Sequence, residues 1–361
     1  MHESRWLVTN DPFPYSAPNL RGKEVVMGLN AAIVTVIGDL PQILVVPHGP
    51  DDEAQGNSAS WGSLPFGPFD PVHHRTMEMG LRAWVREQTN LSLGYVEQLY
   101  TFGDRGRQHS EAASDAAHFV SIGYLALTRQ ATEELDGAKW EPWYQYFPWE
   151  DWQAGPPALI DKVIAPRLSA WAARESEASS DELTRGKRID RLRLAFGVKD
   201  GVLDPDLWDE DKVLERYELL YEAGLLREAV RDGRTDEMCD ADVKKLQLGR
   251  PMHYDHRRIL ATAMGRLRAK LKYRPVVFEL MPPSFTLYEL QRVVENVMGQ
   301  HVHKQNFRRL VERAGFVEPT GRLSTATGGR PAELFRFRRE IFNERPAPGL
   351  KLAPSRSRVG R

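Results

Sequence analysis

The stretch HKQNFRRLVERAG, residues 303–315, sets an apolar face against a polar one. Phe307, Leu310, Val311 and Ala314 recur at i, i+3, i+4 and i+7, the spacing that buries one side of a helix. The opposite side then presents Gln305, Arg309 and Glu312, flanked by Lys304, Asn306, Arg308 and Arg313. Such side chains carry the chemistry that reads duplex DNA. Arginine bonds a guanine edge in pairs, Gln or Asn does the same with adenine, and further cations meet phosphates. A basic helical hairpin without a nucleic acid partner is the other reading of this pattern.

The elements that must position such a helix lie on either side of it. Upstream, PPSFTLYELQRVVENVMG has Thr286 and Glu289 in capping-box spacing. Leu287, Leu290, Val293, Val294, Val297 and Met298 form its buried stripe, and Gly299 ends it. VVFEL before it reads as a short strand. Val302 is placed to staple onto Phe307. Downstream, FVEPTGRLSTATGGRPAELFRFR reads as strand, loop, strand with Gly328, Gly329 and Pro331 at the tip. Arg322 and Arg330 on that wing have the chemistry to enter a minor groove or hold phosphate. The order predicts a winged helix-turn-helix over 275–338.

Charge supports a polyanionic partner at this end. The whole chain of 361 residues has a formal net charge of −1, yet residues 255–361 carry 22 Lys/Arg against 9 Asp/Glu. The remaining residues are correspondingly acidic. HYDHRRILATAMGRLRAKLKY opens the basic part. Leu260, Met264, Leu267 and Leu271 form an apolar stripe, Asp255 is the expected N-cap, and basic residues are expected on the other side. Residues 343–361 have three prolines and five basic residues without periodicity and read as a disordered basic tail.

The rest of the chain is globular. With 41% hydrophobic residues it can support two or three cores. AAIVTVI and QILVVP read as strands around the turn Gly38-Asp39-Leu40-Pro41. A helix is expected over roughly 76–89 with Leu81, Trp84 and Val85 on one side, and strands over 95–102 and 118–127. This mixture predicts an α/β layered domain over 1–152, ending near EPWYQYFPWEDW. Residues 153–254 turn helical. IDKVIAPRLSAWAAR makes one helix, RESEASSDE a polar linker, DEDKVLERYELLYEAG a second helix, and DGRTDEMCDAD a loop. This section offers packing or oligomerisation rather than motif chemistry. The single Cys239 excludes an internal disulfide and a cysteine-clustered zinc site. No membrane span or signal pattern is apparent, so a cytoplasmic protein is expected.

PVVFELMPPSFTLYELQRVVENVMGQ, KQNFRRLVERAG and TGGRPAELFRF together resemble the C-terminal DNA-binding domain of the Nudix-related transcriptional regulators of NAD metabolism, the NrtR family. His303 departs from the Asp that the family favours as helix N-cap. Further upstream, SLPFGPFDP resembles the loop that begins a Nudix box, and YTFGDRGR (100–107) a family segment ahead of the strand FVSIGYLAL. The helical insert over 153–254 departs from the family's two-domain layout.

The resemblance implies a Nudix-like α/β/α sandwich, a helical middle segment and a C-terminal winged helix over 255–342. The Nudix enzymes hold Mg²⁺ with helical glutamates at i, i+3 and i+4. Aligned on TNL, this chain has Trp84, Glu87 and Gln88 there, Ala83 for the motif's Arg and Asn90 for its Gly. One carboxylate does not make a multi-ligand site, so the expectation is a retained pocket with no metal, no cofactor and no catalytic residues. By resemblance that pocket takes ADP-ribose or a related NAD derivative. Arg105 and Arg107 suit a pyrophosphate, Tyr100 or Phe102 an adenine, and Asp104 a ribose hydroxyl. YTFGDRGR reads equally as a strand end and turn with solvated charges. The expectation is a ligand-responsive repressor that binds an operator in double-stranded DNA as a homodimer, with an active Nudix hydrolase bearing an appended DNA-binding domain as the alternative.

Overall fold

The computed structural model describes residues 24–47, 61–104, 117–129, 135, 137–174, 182–199, 201–235, 238–324 and 331–340. The expected wing tip with Arg330, the pair Arg105 and Arg107, most of the polar linker, and the tail 343–361 lie outside them.

A mixed sheet organises the first third. Its strands are β1 (Glu24–Ile37), β2 (Leu40–Val45), β3 (Phe66–Pro68), β4 (Tyr95–Phe102), β5 (Ala117–Leu127) and β6 (Lys139–Pro142). They order as β4-β5-β1-β2-β6, with β3 paired to β1. β1 runs parallel to β5 over residues 24–34 and antiparallel to β2 and β3. β1 is longer than its apolar core AAIVTVI because the parallel pairing to β5 begins at Glu24. The period-two alternation of a strand sorts its side chains between two faces. Leu29, Ala31 and Ile33 join Ile122, Tyr124 and Ala126 in one cluster, closed by Leu81 and Val85 of helix α1 (Met77–Thr89). Ala32 and Val34 join Leu125 and Leu127 in a second, larger cluster on the other face. The sheet is therefore sandwiched, as an α/β/α Nudix-like domain requires.

The aromatic run after β6 is the densest part of the second cluster, with Trp143, Tyr146, Phe147 and Trp149 all at 0% exposure. It folds as two short 3-10 turns, Trp143–Gln145 and Pro148–Glu150. The helical section then supplies α2 (Ala165–Ala173), α3 (Glu182–Phe196), the short hairpin of β7 (Val198–Lys199) and β8 (Val202–Leu203), α4 (Val213–Glu222), α5 (Arg227–Arg231) and α6 (Asp240–Lys245). Two expectations change here and one element is added. IDKVIAPRLSAWAAR opens with a π turn, Ile160–Ile164, two residues before Pro166, which cannot donate into a regular helix. Helix α3 went unpredicted because its polar residues surround a weak stripe. The end of DGRTDEMCDAD is the start of α6 rather than loop.

Helix α7 (His256–Tyr273) crosses the second face of the sheet. Leu260, Met264, Leu267 and Leu271 are buried as expected. The basic residues are not all on the other side. Arg257 and Arg268 are at 1% and 0% exposure, and His256 is at 1%. Each is fully engaged, which is the condition for burying a charge or polar ring. Arg268 donates to Glu150 Oε2 at 2.7 Å and to the carbonyls of Glu210, Val297 and Glu150. Arg216 from α4 grips the same carboxylate through Nε at 2.6 Å and Nη2 at 2.9 Å. Burial works against the Arg268 charge, and Tyr144 and Glu150 beside it outweigh that, keeping its pKa above the ordinary arginine value. Arg257 pairs with the buried Glu228. Leu64 N–H donates to His256 Nδ1 at 3.0 Å, which leaves Nε2 to donate to Asn30 Oδ1 at 2.9 Å. Asp255 makes no side-chain cap bond, contrary to expectation, and lies 3.6 Å from Arg258 instead.

The C-terminal unit comprises α8 (Leu287–Met298), α9 (Lys304–Ala314) and the antiparallel strands β9 (Val317–Ser324) and β10 (Ala332–Phe337). The Thr286–Glu289 capping box is complete and Gly299 closes α8 at φ +71°. VVFEL is a 3-10 turn, Val276–Glu279, and not a strand. Its Phe278 is buried and stacks on Phe337 with ring centroids 4.3 Å apart, so packing overrides the β-branched composition. The third strand contact of the wing comes from Phe285, which exchanges backbone bonds with Phe335.

Candidate functional site

The polar residues of α9 separate from its apolar ones as the spacing requires. Phe307 and Val311 are buried, Leu310 and Ala314 are half-buried against the same cluster, and Lys304, Gln305, Asn306, Arg308, Arg309, Glu312 and Arg313 are exposed. Arg309 Nη2 donates to Asn306 Oδ1 at 3.0 Å, so two of the side chains expected to read bases are held together. His303 precedes the helix without a side-chain cap bond. Arg322 is exposed on β9, on the hairpin that follows α9 directly after Gly315. No described residue accepts a hydrogen bond from the side chains of Lys304, Arg308, Arg313 or Arg322. The cations of α7 behave oppositely, since Arg257, Arg258 and Arg268 are committed to internal carboxylates. Among the described residues 256–324, the cations without a described partner, Lys304, Arg308, Arg313 and Arg322, lie on α9 and the wing.

The second region lies at the end of β4. Tyr100 is 61% exposed and meets Phe102 edge-on at 5.2 Å. Phe102 is 1% exposed and lies beneath the Arg258 guanidinium, 4.8 Å from its ring centroid. The Phe102 face is therefore closed, and of the two rings only Tyr100 is open to solvent. Asp104 is exposed and pairs with Arg258. Arg258 also holds Glu218 of α4 at 2.5 Å. Residue reasoning missed Arg258 because Asp104 and Arg258 are 154 residues apart and nothing local marks the pairing.

On α1, the positions aligned with metal-binding glutamates do different work. Trp84 Nε1 donates to the Pro68 carbonyl at 2.8 Å. Gln88 accepts from Phe66 N–H at 3.1 Å and donates to Phe66 C=O at 2.6 Å. These two side chains fasten the helix to β3. Glu87 is exposed, Glu78 pairs with Arg82, and Asp70 accepts from the backbone of Val72 and His73 and from the His73 ring. Among the described residues no three His, Cys, Asp or Glu side chains gather as a metal site. The Trp84 indole lies so close to Gly67 that an added Cβ would overlap its ring. Gly67→Ala should therefore lower the unfolding free energy by about 1–3 kcal/mol through overpacking. Urea denaturation checks this, and a variant as stable as the parent would mean that the indole moves aside freely.

No helix among the described residues is long and apolar enough to cross a membrane. Residues 277–337 match the NrtR DNA-binding winged helix domain. The ADPR responsive transcriptional repressor NtrR of Acinetobacter baylyi is 43% identical over 84 residues, which are 23% of this chain and 33% of the relative. The chain thus spans about a third of the length of that curated relative. Shewanella oneidensis NrtR, solved with a 27mer DNA, aligns over 88% of this chain and 95% of its own at 19% identity and a TM-score of 0.48. A MutT/nudix family protein from Enterococcus faecalis aligns over 90% of both chains at 12% identity and a TM-score of 0.46.

Proposed function

We propose that this chain, which belongs to the NrtR-type family through its winged helix, is a cytoplasmic, ligand-responsive transcriptional repressor of NAD-related genes. The observation that carries the reading is α9, a helix anchored by Phe307 and Val311 that turns its amide and guanidinium groups to solvent. A protein-binding surface would deplete lysine and centre on apolar residues, and this face does neither. The 43% identity to a repressor described as ADPR responsive supports both the DNA partner and the effector class.

The sensing role falls to the Nudix-like domain. ADP-ribose or a related NAD derivative would stack on Tyr100, with Arg105 and Arg107 on its pyrophosphate and Asp104 at a ribose. Occupation of Asp104 would compete with Arg258, and that residue joins the β4 end to α4 and α7. A homodimer reading two half-sites about 34–36 Å apart would turn a small change in geometry into a change in affinity. Hydrolysis is not part of the reading. Trp84 and Gln88 are committed to the backbone of β3, which leaves Glu87 as the lone carboxylate at the three aligned positions. A phosphate-release assay with Mg²⁺ should stay at background.

The test is fluorescence anisotropy on DNA upstream of the chain's own gene, at fixed salt, with and without ADP-ribose. Sequence-specific binding that ADP-ribose weakens is expected. Specific binding indifferent to ADP-ribose would overturn the effector, and sequence-blind binding would overturn the reader. Arg309→Ala should cost about 1–3 kcal/mol and relax sequence preference. Arg322→Ala should weaken all sequences alike and lower the salt slope by about 1. Salt-independent binding by both variants would contradict the placement.

A further inference from the structure

The helical section holds a cavity that the proposed function does not use. It has a volume of about 190 Å³ and lies among α5, α6 and the first turn of α7. Leu225, Leu226, Val243, Leu248 and Pro251 give it an apolar wall. Every charged residue on the lining is cationic, namely Arg227, Lys244, Arg250 and Arg257. The acids that balance them are not part of the lining: Asp240 pairs with Arg227, Glu141 with Arg250 and Glu228 with Arg257.

The hydrogen bonds leave donors over. Arg227 commits Nε and Nη2 to Asp240, and no described residue accepts from its Nη1. Arg250 commits only Nη1, to Glu141 at 2.8 Å and Gln145 at 3.3 Å. Lys244 Nζ has no described acceptor at all, whereas the adjacent Lys245 is held by Asp242 at 2.8 Å. Arg257 is different, since its guanidinium is saturated by Glu228 and the carbonyls of Tyr146 and Leu248. It contributes a fixed buried charge rather than a free donor. Three cations keep unused N–H groups around one small concavity, and Lys244 adds a positive charge that no described acid pairs, so an anion entering the concavity meets both donors and charge.

We infer that this cavity binds a small phosphate-bearing metabolite, at a site separate from the β4 end and from the DNA-reading face. The volume is below the roughly 300–1,000 Å³ that holds a drug-sized ligand, which favours a compact species. One ammonium and two guanidinium groups offer more donors than a single carboxylate has oxygens, and a dianionic tetrahedral oxyanion matches them better. The apolar wall accommodates a short carbon chain beside the phosphate. The inference rests on the cavity alone and stands whether or not the proposed effector is right.

Inorganic phosphate, titrated into the full chain by calorimetry, is the probe. Lys244 is exposed and Arg250 half-buried, so Lys244→Met with Arg250→Met should leave the fold intact, and an unchanged thermal midpoint without phosphate verifies that. The double variant should bind phosphate at least tenfold more weakly than the parent. Lys245→Met removes a neighbouring charge outside the cavity and should bind as the parent does. Acetate should bind markedly more weakly than phosphate. The inference is overturned if millimolar phosphate gives no heat with the parent, if Lys245→Met loses as much affinity as the double variant, or if acetate matches phosphate.

Discussion

Glu150→Ala should destabilise the folded chain by about 3–5 kcal/mol, the cost of leaving a buried ion network without its anion. Glu150, Arg216 and Arg268 have side-chain exposures of 0%. The one carboxylate accepts from both guanidiniums, and its removal strands two positive charges where water does not reach. Replacing all three residues by apolar ones would not restore stability. The guanidiniums also serve the carbonyls of Ala195, Asp209, Glu210 and Val297, which would then be orphaned. Urea denaturation of parent and variant gives the difference. A loss under about 1 kcal/mol, the range of exposed pairs such as Arg191–Glu222, would mean that water reaches the network. Because the pair is buried, the loss should persist at high ionic strength.

Phe307→Ala should abolish DNA binding while leaving the sheet domain folded. An isolated helix shorter than about 12 residues does not hold in water, and α9 has 11. Only Phe307 and Val311 of its side chains are fully buried. Removing the phenyl ring costs about 3–5 kcal/mol, more than the remaining contacts of so short an element supply. Hydrogen exchange should show protection lost over 304–314 and retained in β1 and β5, with DNA affinity falling beyond the 1–3 kcal/mol expected for Arg309→Ala. Retained protection in α9 with normal affinity would refute the anchoring role.

Much of this organisation is legible in the residues. The stripes of α8 and α9, the capping box at Thr286 and the β4 and β5 spans follow from periodicity and cap chemistry, which are local. The fate of the arginines on α7 is not local, although a trace of it is present. Arg257 and Arg268 fall three residues before Leu260 and four after Met264, on the buried stripe itself. A charge on that stripe signals a buried partner, but Glu150 lies 118 residues from Arg268 and no short-range pattern names it. The 3-10 turn at Val276–Glu279 departs from the expected strand for a related reason. Its β-branched residues favour strand, and the stack of Phe278 on Phe337 decides otherwise. At the candidate effector region Tyr100 is open to solvent, whereas Phe102 and Asp104 are engaged by an arginine from a helix distant in sequence.

The far end of α8 is tied to the body of the protein at several points. Tyr144 O–H donates to the Asn296 carbonyl at 2.5 Å, Asn296 Nδ2 donates to the Asp39 carbonyl at 2.6 Å, and Trp152 N–H donates to the Gly299 carbonyl at 2.8 Å. Only four residues, 300–303, separate this joint from α9. A reading head on a loose tether could find its groove whatever its carrier was doing. Here α8 is fastened to the β1–β2 turn and to the 144–152 segment, and α9 follows it within four residues. Limited proteolysis should therefore release no free winged helix, and a ligand effect on DNA binding is expected to be lost when Asn296 or Tyr144 is replaced by a residue that cannot make these bonds.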